Sequence, residues 1–286
     1  MREEMKIIRY RDAAGAVHYG VAAPDGTYHR AEGELFAGER AGAASSPGAP
    51  TALRATDEPA DVRAWLAPVS PPMIWCIGQN YRAHSRELGM PIPEFPVVFA
   101  KGPNTVTGHG SAILLPRAGR SDEVDYEAEL VVVIGKRCKN VVRERALECV
   151  LGYTCGNDVS AREWQLRTGG GQWCRGKTFD TFAPMGPCLV TADEISDPSR
   201  LRIAAQVNGK TMQDSNTSDM IFDVPSLIAF LTMSMTLEPG TAIFTGTPPG
   251  VGMARKPPLW LRPGDSVSII IEAIGTLTNT VAEEPL

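Results

Sequence analysis

The chain has 286 residues, of which 43% are hydrophobic and 21% are charged, and its formal net charge is −5. This is the composition of a globular protein with enough apolar material for a sizeable core, in one or two domains. The acidic balance and the lack of a long basic run argue against nucleic acid and acidic membranes as partners. A negative protein that binds an anionic substrate needs local positive charge, which a metal ion can supply.

The amino-terminal residues and the cysteines indicate where the protein works. Met1–Arg11 is charged and has no apolar signal core. No apolar run approaches the roughly 20 residues that span a bilayer. The six cysteines include no C-x-x-C pair, so a zinc or thioredoxin-like motif is not indicated. We therefore expect a cytoplasmic protein with reduced thiols.

Residues 1–70 predict a small β-rich domain followed by a linker. Short strands separated by turn signals are expected at Lys6–Tyr10, Val17–Ala23 and Thr27–Ala31. Gly38–Pro50 is rich in Ala, Gly, Ser and Pro and predicts a loop or linker. Asp61–Leu66 predicts a short helix, which the prolines after it end. A domain boundary near Ser70 follows, with a catalytic domain at residues 71–286.

Residues 71–286 mix strands with a few helices. Apolar runs predict strands at Met73–Ile77, Val97–Lys101, Leu130–Ile134, Ala242–Thr245 and Ser266–Glu272. Helical patterns cover Tyr81–Leu88, Arg143–Val150 and Pro225–Thr232. Since helices do not regularly separate the strands, a parallel doubly wound sheet is a poor match. The prediction is an α+β fold dominated by β structure.

Three acidic residues are candidate metal ligands. In the stretch Asp125–Ile134, alternate strand residues share a face, so Glu127 and Glu129 project together beside an apolar run. Two carboxylates this close repel each other unless a cation neutralises them. Asp158, which follows another apolar segment, is the third candidate. Oxygen ligands without His or Cys favour Mg²⁺, Mn²⁺ or Ca²⁺ over zinc. The alternative is a solvated edge strand with alternating acids.

A histidine and a glutamate form a second constellation. His84 and Glu87 are three residues apart on a predicted helix, so they lie on one face. A carboxylate beside an imidazole fixes its tautomer and raises its basicity, so the pair can take a proton from water. The flanking Gly89 and Pro91 suit a mobile lid over a site. The alternative is an exposed pair on a surface helix.

Four further residues are candidates for contact with a substrate. Lys177 follows a run of three glycines and could stabilise a developing oxyanion. Arg162 and Gln165 follow Asp158 at helical spacing and could line the same cavity. The loop Thr245–Gly252, which includes Thr247, lacks phosphate-loop and dinucleotide-binding patterns, but its backbone N–H and hydroxyl groups could bind a carboxylate. The alternatives are a surface lysine, a solvated helix face and a plain turn.

In their order along the chain, these motifs resemble those of the fumarylacetoacetate hydrolase superfamily. The matches are Gly78, Asn80, Tyr81, His84 and Glu87 to G-x-N-Y-x-x-H-x-x-E; Glu127, Glu129 and Leu130 to E-x-E-L; Asp158 to a third metal-binding aspartate; Gly176–Phe179 to G-K-[ST]-F/D; and Thr245–Gly252 to T-G-T-P-x-G-V-G. The resemblance covers Met73 to the C-terminus. It implies a mixed β-sandwich roll, usually homodimeric, often with a small N-terminal domain.

The resemblance also implies roles for the matching residues. The implied ligands of Mg²⁺ or Mn²⁺ are Glu127, Glu129 and Asp158. His84 and Glu87 would activate water. The implied substrate contacts are Lys177, Gln165 and Thr247, and Tyr81 and Arg162 are further candidates.

The resemblance implies a catabolic hydrolase that cleaves the C3–C4 bond of a 2,4-dioxo acid, giving pyruvate and a second acid. The substrate would be an acylpyruvate, fumarylpyruvate or a dioxo-deoxy sugar acid. Decarboxylation of oxaloacetate and isomerisation of a hydroxymuconate-like diacid use the same metal-stabilised enolate and are the alternatives. A non-enzymatic sugar-acid-binding or metal-sensing module would have no need of the His84–Glu87 pair.

Overall fold

The computed structural model describes residues 5–36, 51–168 and 170–285. The strands are β1 (Lys6–Arg11), β2 (Val17–Ala22), β3 (Tyr28–Glu32), β4 (Arg54–Pro59), β5 (Ala64–Leu66), β6 (Ile74–Gly78), β7 (Val97–Lys101), β8 (Val106–Thr107), β9 (Ala112–Leu115), β10 (Val124–Asp125), β11 (Ala128–Ile134), β12 (Val150–Asn157), β13 (Ser160–Ala161), β14 (Ala183–Thr191), β15 (Arg202–Val207), β16 (Lys210–Asn216), β17 (Ala242–Phe244), β18 (Ser266–Ile271) and β19 (Gly275–Glu283). The α-helices are α1 (Arg82–Glu87), α2 (Arg162–Leu166), α3 (Trp173–Lys177) and α4 (Val224–Leu231). Short 3₁₀ segments lie at Pro103–Thr105, Arg143–Cys149, Pro198–Arg200, Thr217–Asp219 and Gly252–Ala254.

A long mixed sheet runs through the centre of the molecule. Its strand order is β4-β3-β2-β1-β14-β12-β11-β17-β6-β7, with β5 paired to β1 and β8 paired to β14. The N-terminal strands extend this sheet, because Lys6 and Ile7 of β1 pair with Val190 and Leu189 of β14. The domain boundary near Ser70 stays a prediction. The predicted linker Gly38–Pro50 and Gly169 of the glycine run lie outside the described residues.

A second sheet covers one face of the central sheet. Its order is β16-β15-β18-β19-β9, and it packs on β11, β12 and β14. The core between the two sheets includes Leu130, Val132, Ile134, Ile203, Ile269 and Leu277. The predicted α+β fold with a mixed β-sandwich roll is confirmed.

Strand β11 is buried on both faces and decides where its acids point. Leu130 and Val132 belong to the core between the sheets, whereas Val131 and Val133 belong to a second apolar cluster behind the central sheet. Side chains alternate along a strand, so Glu129 lies on the same face as Val131. Near the beginning of this apolar strand, the acidic side chain of Glu129 therefore projects into a cavity.

Helix α4 packs beside the 3₁₀ segment Arg143–Cys149. The helix begins at Asp223, whose side chain accepts the Ser226 N–H, and Pro225 occupies the first turn. Residues 143–150 were predicted as an α-helix, and the observed 3₁₀ segment ends at Cys149. In the described ranges, helix α4 has eight residues and no helix is long and apolar enough to span a bilayer.

The helix predicted at Asp61–Leu66 is wrong. Residues Ala64–Leu66 form strand β5, which pairs antiparallel with β1. The Arg63 N–H also donates to the Arg11 carbonyl at 3.0 Å. A six-residue helix has too few internal hydrogen bonds to be stable alone, so this segment pairs with β1 instead of forming a helix.

Candidate active site

Three carboxylates meet where β11 begins and β12 ends. Ligand-capable oxygens of Glu127, Glu129 and Asp158 lie within 4.8 Å of one another. The three residues are 5%, 1% and 0% exposed. The Asp158 N–H donates to the Glu127 carbonyl at 2.9 Å, and the Asn157 side chain accepts the Glu127 N–H at 3.0 Å. Adjacent strand ends therefore hold the three predicted ligands together.

The protein neutralises Glu127 but leaves Glu129 without a cationic partner. Burial penalises the charged form of Glu127, but Arg162 and Lys177 outweigh it and hold the pKa of Glu127 below its usual range. Burial, together with the charges of Asp158 and Glu127, raises the pKa of Glu129 well above its usual range. Among the described residues, the hydrogen-bond donor to the Glu129 carboxylate is neutral, namely the Gly246 N–H at 2.8 Å. Of the three carboxylates, Glu129 is thus the one whose negative charge is least compensated by neighbouring cations.

Lys177 ends helix α3 inside the carboxylate cluster. Its Nζ donates to Glu127 Oε2 at 2.8 Å, Asp158 Oδ2 at 2.7 Å and Ser160 Oγ at 2.8 Å. Burial lowers the pKa of Lys177, but Asp158 and Glu127 outweigh it and raise that pKa above its usual value. Lys177 is therefore a charged donor at the site, 4.9 Å from the centre of the Phe99 ring.

Two further charged residues of the site were missed from the sequence. Lys101 is 2% exposed, and its Nζ lies 2.7 Å from Asp158 Oδ1. It also donates to three carbonyls, those of Val159, Lys177 and Phe182, at 3.0, 2.5 and 2.9 Å. The sequence feature that could have indicated Lys101 as a site residue is its position at the end of the apolar strand β7.

Asp125 is the other missed residue, and it holds Arg162. Its Oδ2 accepts from Arg162 Nε at 2.9 Å and Nη2 at 2.8 Å. Arg162 Nη2 also donates to Glu127 Oε1 at 2.7 Å. Arg162 Nη1 donates to the Gln165 side-chain oxygen at 2.9 Å, which leaves the Gln165 amide nitrogen as a donor. Asp125 therefore orients two predicted substrate contacts.

The charges around the cavity fit a hard divalent cation. Among the described residues of this cluster, the buried carboxylates are Asp125, Glu127, Glu129 and Asp158. The buried cations are Lys101, Arg162 and Lys177. With all seven groups ionised, one negative charge would be left over, and the raised pKa of Glu129 reflects the cost of that charge in a buried site. A divalent ion at the three grouped carboxylates would make the net charge of the cluster positive. The cavity would then attract an anionic substrate.

His84 and Glu87 form the predicted pair on α1. His84 Nδ1 lies 3.0 Å from Glu87 Oε2, and Glu87 Oε1 accepts the Gly250 N–H at 2.9 Å. The carboxylate is therefore fixed by the Thr245–Gly252 loop and in turn fixes the imidazole. A proton on Nδ1 leaves Nε2 as the basic nitrogen.

A cavity of about 280 Å³ brings most of the predicted residues together. Those that line it are His84, Glu127, Glu129, Asp158, Arg162, Gln165, Lys177 and Thr247. Apolar walls are supplied by Leu88, Met90, Phe99, Leu166, Trp173 and Met253, among others. Tyr81 does not line the cavity and lies in the core between the sheets instead. Thr247 Oγ1 accepts from Gln213 Nε2 at 2.9 Å.

Exchange of Gly246 for alanine is expected to destabilise the fold by about 4 kcal/mol, from backbone strain and overpacking together. Gly246 has φ +103°, and an added Cβ would lie 2.6 Å from the Asn80 Cβ. Gly110→Ala is the matched control, since its φ is +77° but no atom lies within 4 Å of the added Cβ. Urea unfolding should give a clearly larger loss for Gly246→Ala, and equal losses would contradict the steric argument.

Comparison with known proteins identifies the family. The family profile described as fumarylacetoacetate (FAA) hydrolase C-terminal matches residues 73–282. The chain is 49% identical over 217 residues to oxaloacetate tautomerase fahd2, mitochondrial, of Xenopus laevis, covering 76% of this chain and 67% of that protein. It is 49% identical over 224 residues to fumarylacetoacetate hydrolase domain-containing protein 2 homolog of Dictyostelium discoideum, covering 75% and 73%.

Solved structures agree over nearly the whole chain. A 5-carboxymethyl-2-hydroxymuconate delta-isomerase from Mycobacterium smegmatis has a TM-score of 0.80 and 39% identity, covering 98% of this chain and 100% of that one. A fumarylacetoacetate hydrolase from Exiguobacterium antarcticum has a TM-score of 0.82 and 34% identity, with the same coverage. The chain therefore belongs to the fumarylacetoacetate hydrolase family, a family of enzymes. The predicted homodimer and cytoplasmic location stay predictions.

Proposed function

We propose that this chain interconverts the enol and keto forms of a small 2-oxo dicarboxylic acid such as oxaloacetate. The observation that carries the proposal is the grouping of Glu127, Glu129 and Asp158, whose ligand-capable oxygens lie within 4.8 Å of one another in a small buried cavity. The cavity of about 280 Å³ is slightly smaller than the usual range of about 300–1,000 Å³ for ligand pockets, which suits a short diacid. Relatives named as an oxaloacetate tautomerase and a hydroxymuconate isomerase support proton transfer as the reaction.

The proposed reaction moves one proton between the oxygen on C2 and the carbon C3, and leaves the composition of the substrate unchanged. A divalent ion, Mg²⁺ or Mn²⁺ by the chemistry of its oxygen ligands, would stabilise the negative charge of the enolate when bound. Glu127, Glu129 and Asp158 would hold that ion. The proton transfers and the orientation of the substrate fall to other side chains of the cavity.

His84 is the proposed proton carrier at C3. Its Nδ1 is engaged by Glu87 at 3.0 Å, so Nε2 is the nitrogen that accepts the proton and returns it. Lys177 is a donor beside the carboxylates with a raised pKa, and it would stabilise negative charge on the substrate oxygen. The amide nitrogen of Gln165 and the Thr247 hydroxyl would bind a substrate carboxylate. These roles use the residues that line the cavity.

The second candidate is hydrolysis of the C3–C4 bond of a 2,4-dioxo acid. The His84–Glu87 pair favours it, because a carboxylate-fixed imidazole can deprotonate a water molecule as readily as a carbon acid. The solved fumarylacetoacetate hydrolase at 34% identity also supports it. Decarboxylation of oxaloacetate is a third outcome of the same enolate chemistry.

Product analysis distinguishes these reactions. Freshly dissolved oxaloacetate enol is mixed with the protein and Mg²⁺ or Mn²⁺ in D₂O, with a chelator control, and its ultraviolet decay and NMR spectrum are followed. The proposal expects faster loss of the enol with intact oxaloacetate that carries solvent deuterium at C3. Formation of pyruvate and CO₂ would make the enzyme a decarboxylase. Cleavage of acylpyruvates with no effect on the enol would make it a hydrolase.

Exchange of His84 for asparagine is expected to lower kcat for tautomerisation by about 100- to 1,000-fold, the usual contribution of a general base. Mg²⁺ affinity should stay within about twofold, because His84 is not among the grouped ligands. His18→Asn is the matched control, since His18 pairs with Asp12 at 2.7 Å in the N-terminal strands. Full activity of His84→Asn in a steady-state assay would remove His84 from the reaction.

A further inference from the structure

A second cavity, of about 390 Å³, opens at the far end of β11 from the carboxylates. It is lined by residues 136–142 together with Arg145, Glu148 and Cys149. Four of these lining residues are basic, namely Lys136, Arg137, Lys139 and Arg145. The proposed function uses none of these residues.

Two cysteine thiols share this basic cavity. Cys138 lies in a β-bridge with Leu237, with main-chain hydrogen bonds of 3.0 and 2.9 Å. Cys149 ends the 3₁₀ segment, and its carbonyl accepts the Gly135 N–H at 2.7 Å. The two side chains are hydrogen-bonded to each other, and both are thiols in this structure. Backbone hydrogen bonds on both sides thus hold the two cysteines, which are 7% and 4% exposed, side by side in the wall of this cavity.

The surroundings of Cys149 favour its thiolate. The hydrogen bond from Cys138 lowers the pKa of Cys149, and Lys136 and Arg145 add to that effect against burial and Glu148. A thiolate beside a thiol is the arrangement in which one sulfur reacts with an oxidant and the second resolves the product.

The other cysteines provide a contrast within the same chain. Cys155 and Cys188 lie on β12 and β14 in the core between the sheets, where burial raises the pKa of Cys188 to about 11. Burial and then the Cys188 charge raise the pKa of Cys155 above its usual value. Cys174 is exposed. Cys138 and Cys149 are buried as well, at 7% and 4% exposure, but both line a cavity that four basic residues also line.

We propose that Cys138 and Cys149 are a redox-active dithiol that reacts with small hydroperoxides and closes to an intramolecular disulfide. The Cys149 thiolate attacks a peroxide oxygen and the O–O bond breaks, giving a sulfenic acid and a hydroxide that takes up a proton. The Cys138 sulfur then displaces the sulfenic oxygen as water. With hydrogen peroxide, two thiols lose two protons and two electrons, and the products are one disulfide and two waters.

The test treats the reduced, full-length protein with a small excess of hydrogen peroxide, blocks remaining thiols with N-ethylmaleimide and maps the peptides by mass spectrometry. The expected result is a mass loss of about 2 Da before blocking and a linked peptide pair that contains Cys138 and Cys149, since disulfide formation removes two hydrogens. Dithiothreitol should restore both thiols.

Two variants separate attack from resolution. Cys138→Ser should leave a Cys149 sulfenic acid that dimedone captures, whereas Cys149→Ser should lose peroxide reactivity at this cavity. Cys174→Ser is the matched control and should form the disulfide as the wild type does. Oxidation confined to Cys174, with Cys138 and Cys149 both recovered as maleimide adducts in the wild-type map, would overturn the proposal whether or not the variants fold.

Discussion

Exchange of Glu129 for glutamine is expected to lower kcat/KM for enol–keto conversion of oxaloacetate by about 1,000-fold. The reason is that weaker cation binding would remove about 4 kcal/mol of stabilisation of the enolate-like transition state. Glutamine keeps the size of the side chain and an oxygen that can accept the Gly246 N–H. The substitution removes the carboxylate whose negative charge is least compensated by neighbouring cations. Calorimetric titration with Mg²⁺ should show at least about a 100-fold loss of affinity, the scale of changes around metal ligands.

The stability of the metal-free variant provides a second measurement. Loss of one of three repelling carboxylates should leave metal-free Glu129→Gln at least as stable as the wild type. The rise in melting temperature with Mg²⁺ that the wild type is expected to show should be absent. Glu94→Gln, which removes an exposed charge, is the control and should behave as the wild type. Wild-type Mg²⁺ affinity in Glu129→Gln would contradict the assigned cation site.

Exchange of Lys101 for methionine is expected to destabilise the protein by about 4 kcal/mol, the usual cost of removing one partner of a buried ion pair. The variant would leave the Asp158 carboxylate without the Nζ that lies 2.7 Å from it. It would also remove the donor that three carbonyls share, at 3.0, 2.5 and 2.9 Å. Urea unfolding of the metal-free protein measures the loss.

Mg²⁺ distinguishes an electrostatic role of Lys101 from a packing role. Removal of one positive charge leaves Asp158 more available to a cation, so Mg²⁺ should recover part of the stability lost in Lys101→Met. Lys210→Met is the matched control, because Lys210 is exposed on β16 and should change stability by less than about 0.5 kcal/mol. Lys101→Met with wild-type stability would show that the buried ammonium group is dispensable.

The carboxylate group could be predicted because local rules determine it. Strand alternation predicts Glu127 and Glu129 on one side of an apolar run; in the structure Glu127 stands just before β11, and the β11–β12 pairing brings Asp158 to both. Helical spacing likewise predicts the His84–Glu87 contact. These contacts depend on neighbours in sequence or on adjacent strands, which a periodicity pattern reports directly.

The residues that were missed depend on contacts between distant parts of the chain. Lys101 reaches Asp158 and the Phe182 carbonyl across 57 and 81 residues of sequence, and nothing near Lys101 in the sequence indicates either partner. Asp125 stands next to the predicted ligands, but its role depends on Arg162 folding back over it. Tyr81 shows the reverse case, since its position in a matching motif does not bring it to the cavity.

The same distinction applies to the fold. Strands β1, β2 and β3 match their predicted ranges closely, but β5 is a strand where the sequence predicts a helix, because its pairing with β1 is not visible in a six-residue pattern. The strands β4, β8, β9, β10, β13, β14, β15, β16 and β19 were not predicted. The β-sandwich itself followed from the resemblance to the family and not from periodicity.

The pairing of β1 with β14 has a consequence for shortened forms of the protein. At Lys6 and Ile7, β1 covers hydrogen-bonding groups of β14 that would otherwise form a bare sheet edge. Uncovered edges of this kind join to strands of other molecules. A fragment starting after Ser70 could keep every residue of the catalytic cavity and still precipitate, so its insolubility would report on the exposed edge and not on the chemistry.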